Sequence, residues 1–199
     1  MAKIDYYFAT LSPYTYLAGT RFEEIAAKHD VEIAYKPLDV IALFGRTGGT
    51  PPKDRHPNRQ EYRAQDLRRQ AKKAGLDLNV QPAFFPTNPA PSSYAVINAA
   101  QEGGGDMGQL IQALGRACWA EDKNIAEDDV IRDCLARAGF DPDLTGRNLL
   151  GASETYSRNL EEAITRGAFG APFYITDMDQ RFWGQDRLED LDAHLAGTL

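Results

Sequence analysis

The run Lys3-Ile4-Asp5-Tyr6-Tyr7-Phe8-Ala9, followed at once by Thr10-Leu11-Ser12-Pro13, decides the fold. Ile4, Tyr6 and Phe8 fall on one face of an extended chain, Asp5 and Tyr7 on the other. That alternation, rich in aromatic residues, predicts a strand. Ser12 before Pro13 predicts a helix start: serine suits the N-cap, and proline loses nothing at the first helical position, where its N–H has no partner anyway. The helix is expected to reach about His29, with Tyr16, Leu17, Phe22, Ile25 and Ala26 as its buried stripe. Val31–Leu38 alternates again and predicts a second strand, whose Pro37 points to a sheet edge or exit. A βαβ unit therefore opens the chain.

Working outward, residues 39–57 hold Gly45, Gly48, Gly49, Pro51, Pro52 and Pro57 and predict a long loop. Glu61–Ala74 predicts a charged helix stopped by Gly75. Pro82, Pro86, Pro89 and Pro91 make the next stretch extended. Helices are expected over Ser92–Gln101, Asp106–Ala120 and Glu127–Ala138, and from a cap at Ser153 to Gly167. The chain then returns to strands, Ala171–Ile175 and Arg181–Trp183. Asp186 is expected to cap a last helix carrying Leu188, Leu191 and Leu195. The order βαβ, helical block, ββα predicts an α/β fold: residues 1–38 and 168–199 share one sheet, and 39–167 form a helical insertion.

Composition narrows the function. The 199 residues are 43% hydrophobic and 26% charged, ordinary for a globular chain. Basic residues number 22 and acidic 29, a net charge of −7, which disfavours a general nucleic-acid binder. Residues 46–73 run against that trend with nine Lys/Arg and three Asp/Glu, a local +6. Such a segment attracts a small anion or simply forms a solvated helix face. Cys118 and Cys134 exclude a disulfide framework, a C-x-x-C centre and a cysteine-rich zinc site; with Trp119 and Phe140 they are expected in the core. His29, His56 and His194 lack metal-ligand spacing, so no metal is expected. No apolar run is long enough to span a membrane, and MAKIDYYFAT has no apolar leader segment, so the expected address is the cytoplasm.

Three short motifs stand where chemistry is possible. Ser12, between a strand and a helix, either caps that helix or donates its hydroxyl to an anion there. It is not a hydrolase nucleophile by pattern, because no G-x-S-x-G surrounds it. Gly170-Ala171-Pro172-Phe173 opens a strand with proline. A trans bond there is ordinary, whereas a cis bond exposes the backbone of Ala171 to an extended peptide ligand. Trp183-Gly184-Gln185-Asp186-Arg187 precedes the last helix, where Asp186 either caps or pairs an ammonium.

Together with Tyr14-Thr15-Tyr16-Leu17-Ala18, Thr47-Gly48-Gly49-Thr50-Pro51-Pro52, Tyr62 and Asp66-Leu67, Phe85-Pro86-Thr87-Asn88, and Trp119 with Glu121, these motifs resemble, collinearly over residues 3–195, the family of 2-hydroxychromene-2-carboxylate isomerases and the related kappa-class glutathione transferases. The resemblance implies a thioredoxin-like domain with a helical insertion. It implies bound glutathione, whose thiolate Ser12 hydrogen-bonds in place of the first cysteine of a redox pair. It further implies a cis Pro172, with Ala171 and Pro172 pairing the glutathione backbone and Gln185 and Asp186 holding the γ-glutamyl end. Arg59 aligns with a basic residue that meets the cofactor, and Asp66 reaches the cofactor of the partner in a homodimer. Tyr14, Lys36 and Asn88 are expected to orient an aromatic substrate. The chain departs from its relatives at Gly49, where they usually carry Asn, and at Pro89-Ala90-Pro91-Ser92-Ser93, where basic residues often follow.

The implied reaction is glutathione-dependent cis–trans isomerisation: the thiolate adds to the conjugated side chain of a hydroxychromene carboxylate, the former double bond turns, and elimination gives hydroxybenzylidenepyruvate. Two alternatives remain at this point, a transferase that consumes glutathione and a non-catalytic thioredoxin-like binding module. A dithiol oxidoreductase is disfavoured because the second position of the would-be pair is Thr15.

Overall fold

The computed structural model describes residues 2–199. Its frame is a four-stranded mixed sheet. Strands β1 (Ala2–Phe8), β2 (Val31–Pro37), β3 (Phe173–Thr176) and β4 (Arg181–Trp183) lie in the order β2-β1-β3-β4. β1 runs parallel to β2 and antiparallel to β3, and β3 antiparallel to β4. Both ends of the chain thus enter one sheet, with the aromatic β1 in its interior.

Alternation along β1 sends successive side chains to two different cores. Ile4, Tyr6 and Phe8 join Tyr174 on the face covered by α1 (Pro13–Ala18), α2 (Arg21–Lys28) and α9 (Leu188–Leu195). Tyr7 joins Phe173, Ile175 and Leu38 on the other face, under α3 (Val40–Thr47) and α8 (Leu149–Thr165). The remaining long helices are α4 (Pro57–Ala74), α5 (Ala90–Glu102), α6 (Met107–Trp119) and α7 (Asp128–Arg137). Helices α5, α6 and α7 share the first core: Leu110, Leu114, Trp119, Leu135 and Phe140 sit in one cluster with Tyr6 and Tyr16, whereas α4 buries Leu67 and Ala71 against Leu17 of α1 in a cluster of its own.

Four expectations need correction. The single helix from Pro13 to His29 is two, broken where Gly19 adopts φ 63°, a conformation disfavoured for any residue with a Cβ. The apolar stripe continues across the break, which hides it from periodicity. The supposed loop 39–57 contains α3, started by Asp39, whose carboxylate accepts from the N–H groups of Ile41 and Ala42. Ser153 lies inside α8 rather than at its start, and Asp186 does not cap the last helix but sits in a 3-10 turn, Gln185–Arg187, before it. Among the described residues no helix is long and apolar enough to cross a membrane.

Candidate active site

The strand ends assemble the site. The register pairs Phe8 with Pro37, Tyr7 with Phe173, and Phe173 with Trp183, so the end of β1, the start of β3 and the end of β4 meet at one edge. Ser12 is the N-cap of α1: its Oγ accepts from the Thr15 N–H at 3.3 Å and donates to the Ala171 carbonyl at 3.4 Å, across 159 positions. The Ala171–Pro172 peptide is cis, as is Phe85–Pro86. Pro172 has no N–H, and its carbonyl accepts from Gly184 at 2.9 Å, so the proline shapes the loop and Ala171 offers the backbone. Ser12 is 8% exposed and lies at the floor of this edge. Phe169, on that loop, and Trp183, at the end of β4, rings 4.9 Å apart and both exposed, form an aromatic wall beside it.

Gln185 stands beside α1, but its side chain is already committed: Oε1 accepts from Arg21 at 2.5 Å and Nε2 donates to Gln70 at 3.2 Å. It ties the turn to α2 and α4. Asp186 remains exposed, its carboxylate 3.7 Å from Arg187. Both residues line a cleft of about 720 Å³ running along α1 and α4 to Leu17, Gly19 and Lys73; Ser12 is not among its lining residues.

The other expected residues separate. Tyr14 packs with Leu17 and Leu67 between α1 and α4, and burial pushes its phenol up, keeping it protonated. Asp66, on α4, accepts from Gln70 at 3.4 Å. Arg59 is exposed on the first turns of α4. Asn88 is exposed, its side chain accepting from the Ala90 N–H at 3.0 Å ahead of α5. That helix start is bound to the β1–α1 loop through Thr10 and Ser92, 2.8 Å apart. Lys36 lies on the α8 face: its ammonium is held by Asp5 at 2.9 Å and by Glu162, over the Tyr7 ring.

Sequence reasoning missed Arg63. It precedes Leu67 and Ala71 by four and eight positions on the buried face of α4 and is itself half-buried. An arginine in an apolar i, i+4, i+8 row is the signal that points to it.

Cys118 and Cys134 are both buried, and burial pushes each thiol up to about 12. Neither is a usable nucleophile at neutral pH. The position after the cap that would complete a dithiol holds Thr15, also buried. A Ser12-led site on this fold therefore has no sulfur of its own.

Residues 3–196 match the family of DSBA-like thioredoxin domains. The chain belongs to the DsbA-like thioredoxin family. Within that family it is 30% identical over 197 residues to 2-hydroxychromene-2-carboxylate isomerase of Sphingobium xenophagum, covering 96% of this chain and 97% of the relative. A solved structure of 2-hydroxychromene-2-carboxylate isomerase superposes with a TM-score of 0.76 at 25% identity, covering 98% of this chain and 95% of that one. Glutathione S-transferase kappa 1 of Caenorhabditis elegans is 26% identical over 201 residues, 94% of this chain and 88% of the relative. The kinship makes this DsbA-like chain an isomerase.

Gly49 has a local cause within this DsbA-like chain. A Cβ at Gly49 would lie 2.6 Å from Phe44 Cδ1 and 3.1 Å from Phe44 Cβ, so the Phe44 side chain fills the place of an asparagine. Gly49→Asn is expected to cost on the order of 1–3 kcal/mol by overpacking, read by urea unfolding. Combined with Phe44→Ala the losses should not add, because the double variant relieves the clash; strict additivity would count against this account.

Proposed function

We propose that the chain is a glutathione-dependent isomerase that interconverts 2-hydroxychromene-2-carboxylate and trans-o-hydroxybenzylidenepyruvate, or a close aromatic relative, as a cytoplasmic homodimer. The observation that carries this reading is a serine hydroxyl set against a cis-proline loop in a chain whose own thiols are buried. The names of the relatives, isomerase and kappa-class glutathione transferase, support it.

When bound, glutathione supplies the thiolate that adds to the conjugated side chain, lets the former double bond turn, and departs unchanged. Ser12 donates its O–H to that sulfur. Its present acceptor, the Ala171 carbonyl, stands at 3.4 Å, a long bond that a charged acceptor outcompetes. A hydrogen bond to the charged form favours ionisation of the thiol. The Ala171 backbone, at the start of the loop beside Ser12, pairs an extended tripeptide as a strand would. Asp186 is free to hold an ammonium at the γ-glutamyl end, and Arg59 and Asp66 supply charge from α4, Asp66 to the partner's cofactor. Tyr14 donates its phenolic proton toward an anionic substrate, and Asn88 borders the substrate from the start of α5.

Stoichiometry tests the reading. Product formation with glutathione unchanged, counted by thiol titration, is the expected result. Loss of one glutathione per product favours the second reading, a kappa-like transferase, which the 26% relative supports. Absence of glutathione binding leaves a non-catalytic module.

A further inference from the structure

We propose that Arg63 is a carboxylate anchor of this site, its guanidinium gripping a ligand carboxylate beside Tyr14 on the approach to Ser12. The nature of the ligand rests on the reading above; the anchor itself rests on how α4 lies against α1.

The two helices run side by side in the same direction. Lys73 and Ala74, at the end of α4, share a cleft with Ala18 and Gly19 at the end of α1. Leu67, earlier in α4, packs on Leu17 and Tyr14. Arg63, one turn before Leu67, therefore lies level with Tyr14, at the Ser12 end of α1. It is half-buried there.

The other sheltered cations of the chain are satisfied. Lys36 is bound by Asp5 and Glu162, and Arg166 by Asp5 at 2.8 Å. Arg21 donates to the carbonyls of Leu17 and Ala18 and to Gln185. Arg63 has no such acceptor among the described residues. Asp66, one turn on, is drawn to Gln70 at 3.4 Å and Arg69 at 3.8 Å. Arg55 adds a second positive charge close by, its Nε fixed on the Thr50 carbonyl at 2.8 Å and its guanidinium over the Phe44 ring at 5.7 Å.

A sheltered, unpaired guanidinium is costly unless an anion completes it. Burial lowers the pKa of Arg63, whereas the paired Arg46, Arg132 and Arg147 are raised. The planar fork of arginine fits a carboxylate with two parallel hydrogen bonds, and the protonated Tyr14 phenol offers a third donor. Two carboxylates are in play: that of the aromatic substrate and that of the glycine end of glutathione.

Calorimetric titration of the wild-type chain, Arg63→Met and Arg63→Lys distinguishes them, with salicylate, glutathione and glutathione monoethyl ester as probes. A tenfold or greater loss of salicylate affinity in Arg63→Met, with glutathione unchanged, assigns the anchor to the substrate. A tenfold loss for glutathione but not for its ester assigns it to the tripeptide. Arg63→Lys should fall between, since it keeps the charge and loses the fork. The melting temperature of Arg63→Met should hold or rise, because an unpaired buried charge is removed; a purely structural arginine would lower it. Wild-type affinity for both acids in Arg63→Met, or no binding of either by the wild type, overturns the anchor. Salicylate binding that depends on Arg63 in a chain that ignores glutathione would keep the anchor and sink the glutathione reading.

Discussion

Replacing Ser12 by alanine is expected to lower turnover on the order of 100- to 1,000-fold, the usual loss when one preorganised donor to a developing or fixed anion is removed. The tripeptide should still bind within a few-fold, because the proposed reading assigns its other contacts to the Ala171 backbone and Asp186. What changes is the sulfur. A free thiol ionises near pH ~8.5, and each pH unit by which the site lowers that value corresponds to about 1.4 kcal/mol of preference for thiolate. Without the hydroxyl, the pH at which bound glutathione gains its ultraviolet thiolate absorbance should climb toward that of the free tripeptide. The fold also feels the change: Ser12 caps α1 through Thr15, and losing the cap costs on the order of 1 kcal/mol. Unfolding measurements separate that modest loss from the kinetic one. Full turnover in Ser12→Ala would refute the mechanism outright, since among the described residues no other hydroxyl meets both the cap and the cis-proline loop.

How much of this was legible in the chain depends on whether the signal is local. The four strands were, because Ile4, Tyr6 and Phe8 alternate with Asp5 and Tyr7, and because the short apolar runs after Gly170 and before Gly184 have no helical period. Helix α3 was not: Asp39 is a sound cap, but the prolines and glycines from Gly45 to Pro57 outweigh an eight-residue helix. The break at Gly19 was hidden because Leu17, Phe22 and Ile25 keep helical spacing on both sides of it. Side-chain commitments between distant elements were the least legible. Lys36 reads as a free cation near a strand end until Glu162, 126 positions away, closes on it. Likewise, no local pattern tells that Arg21 and Gln70, 164 and 115 positions away, take both ends of the Gln185 amide. The same non-locality works in the other direction at Arg63, whose meaning lies in an absence of partners that no local pattern encodes.

The second large effect concerns stability and arises where α2 meets the helical block. Glu23 is pressed between β2 and α6: a Cβ on the buried Gly108 would lie 2.9 Å from its Cγ, and Asp106, the cap of α6, sets a like charge nearby. Burial first, then Asp106, pushes the carboxyl from 4.5 up to about 7, against the hydrogen bond from Tyr35 that favours ionisation. The folded state thus holds this proton more tightly than the unfolded chain does. The group costs nothing below pH about 4.5, where both states are protonated. Its penalty grows as pH rises to about 7 and is complete above that, when the folded protein must ionise it. Moving a carboxyl over that interval corresponds to on the order of 3 kcal/mol. Glu23→Gln removes the titration and keeps the shape. It should match the wild type in urea unfolding near pH 4.5 and exceed it by on the order of 2–3 kcal/mol at pH 8. Because other groups titrate in the same range, the quantity to follow is the difference between the two proteins, and curves that stay parallel from pH 4.5 to 8 would mean that Glu23 ionises in the fold without penalty.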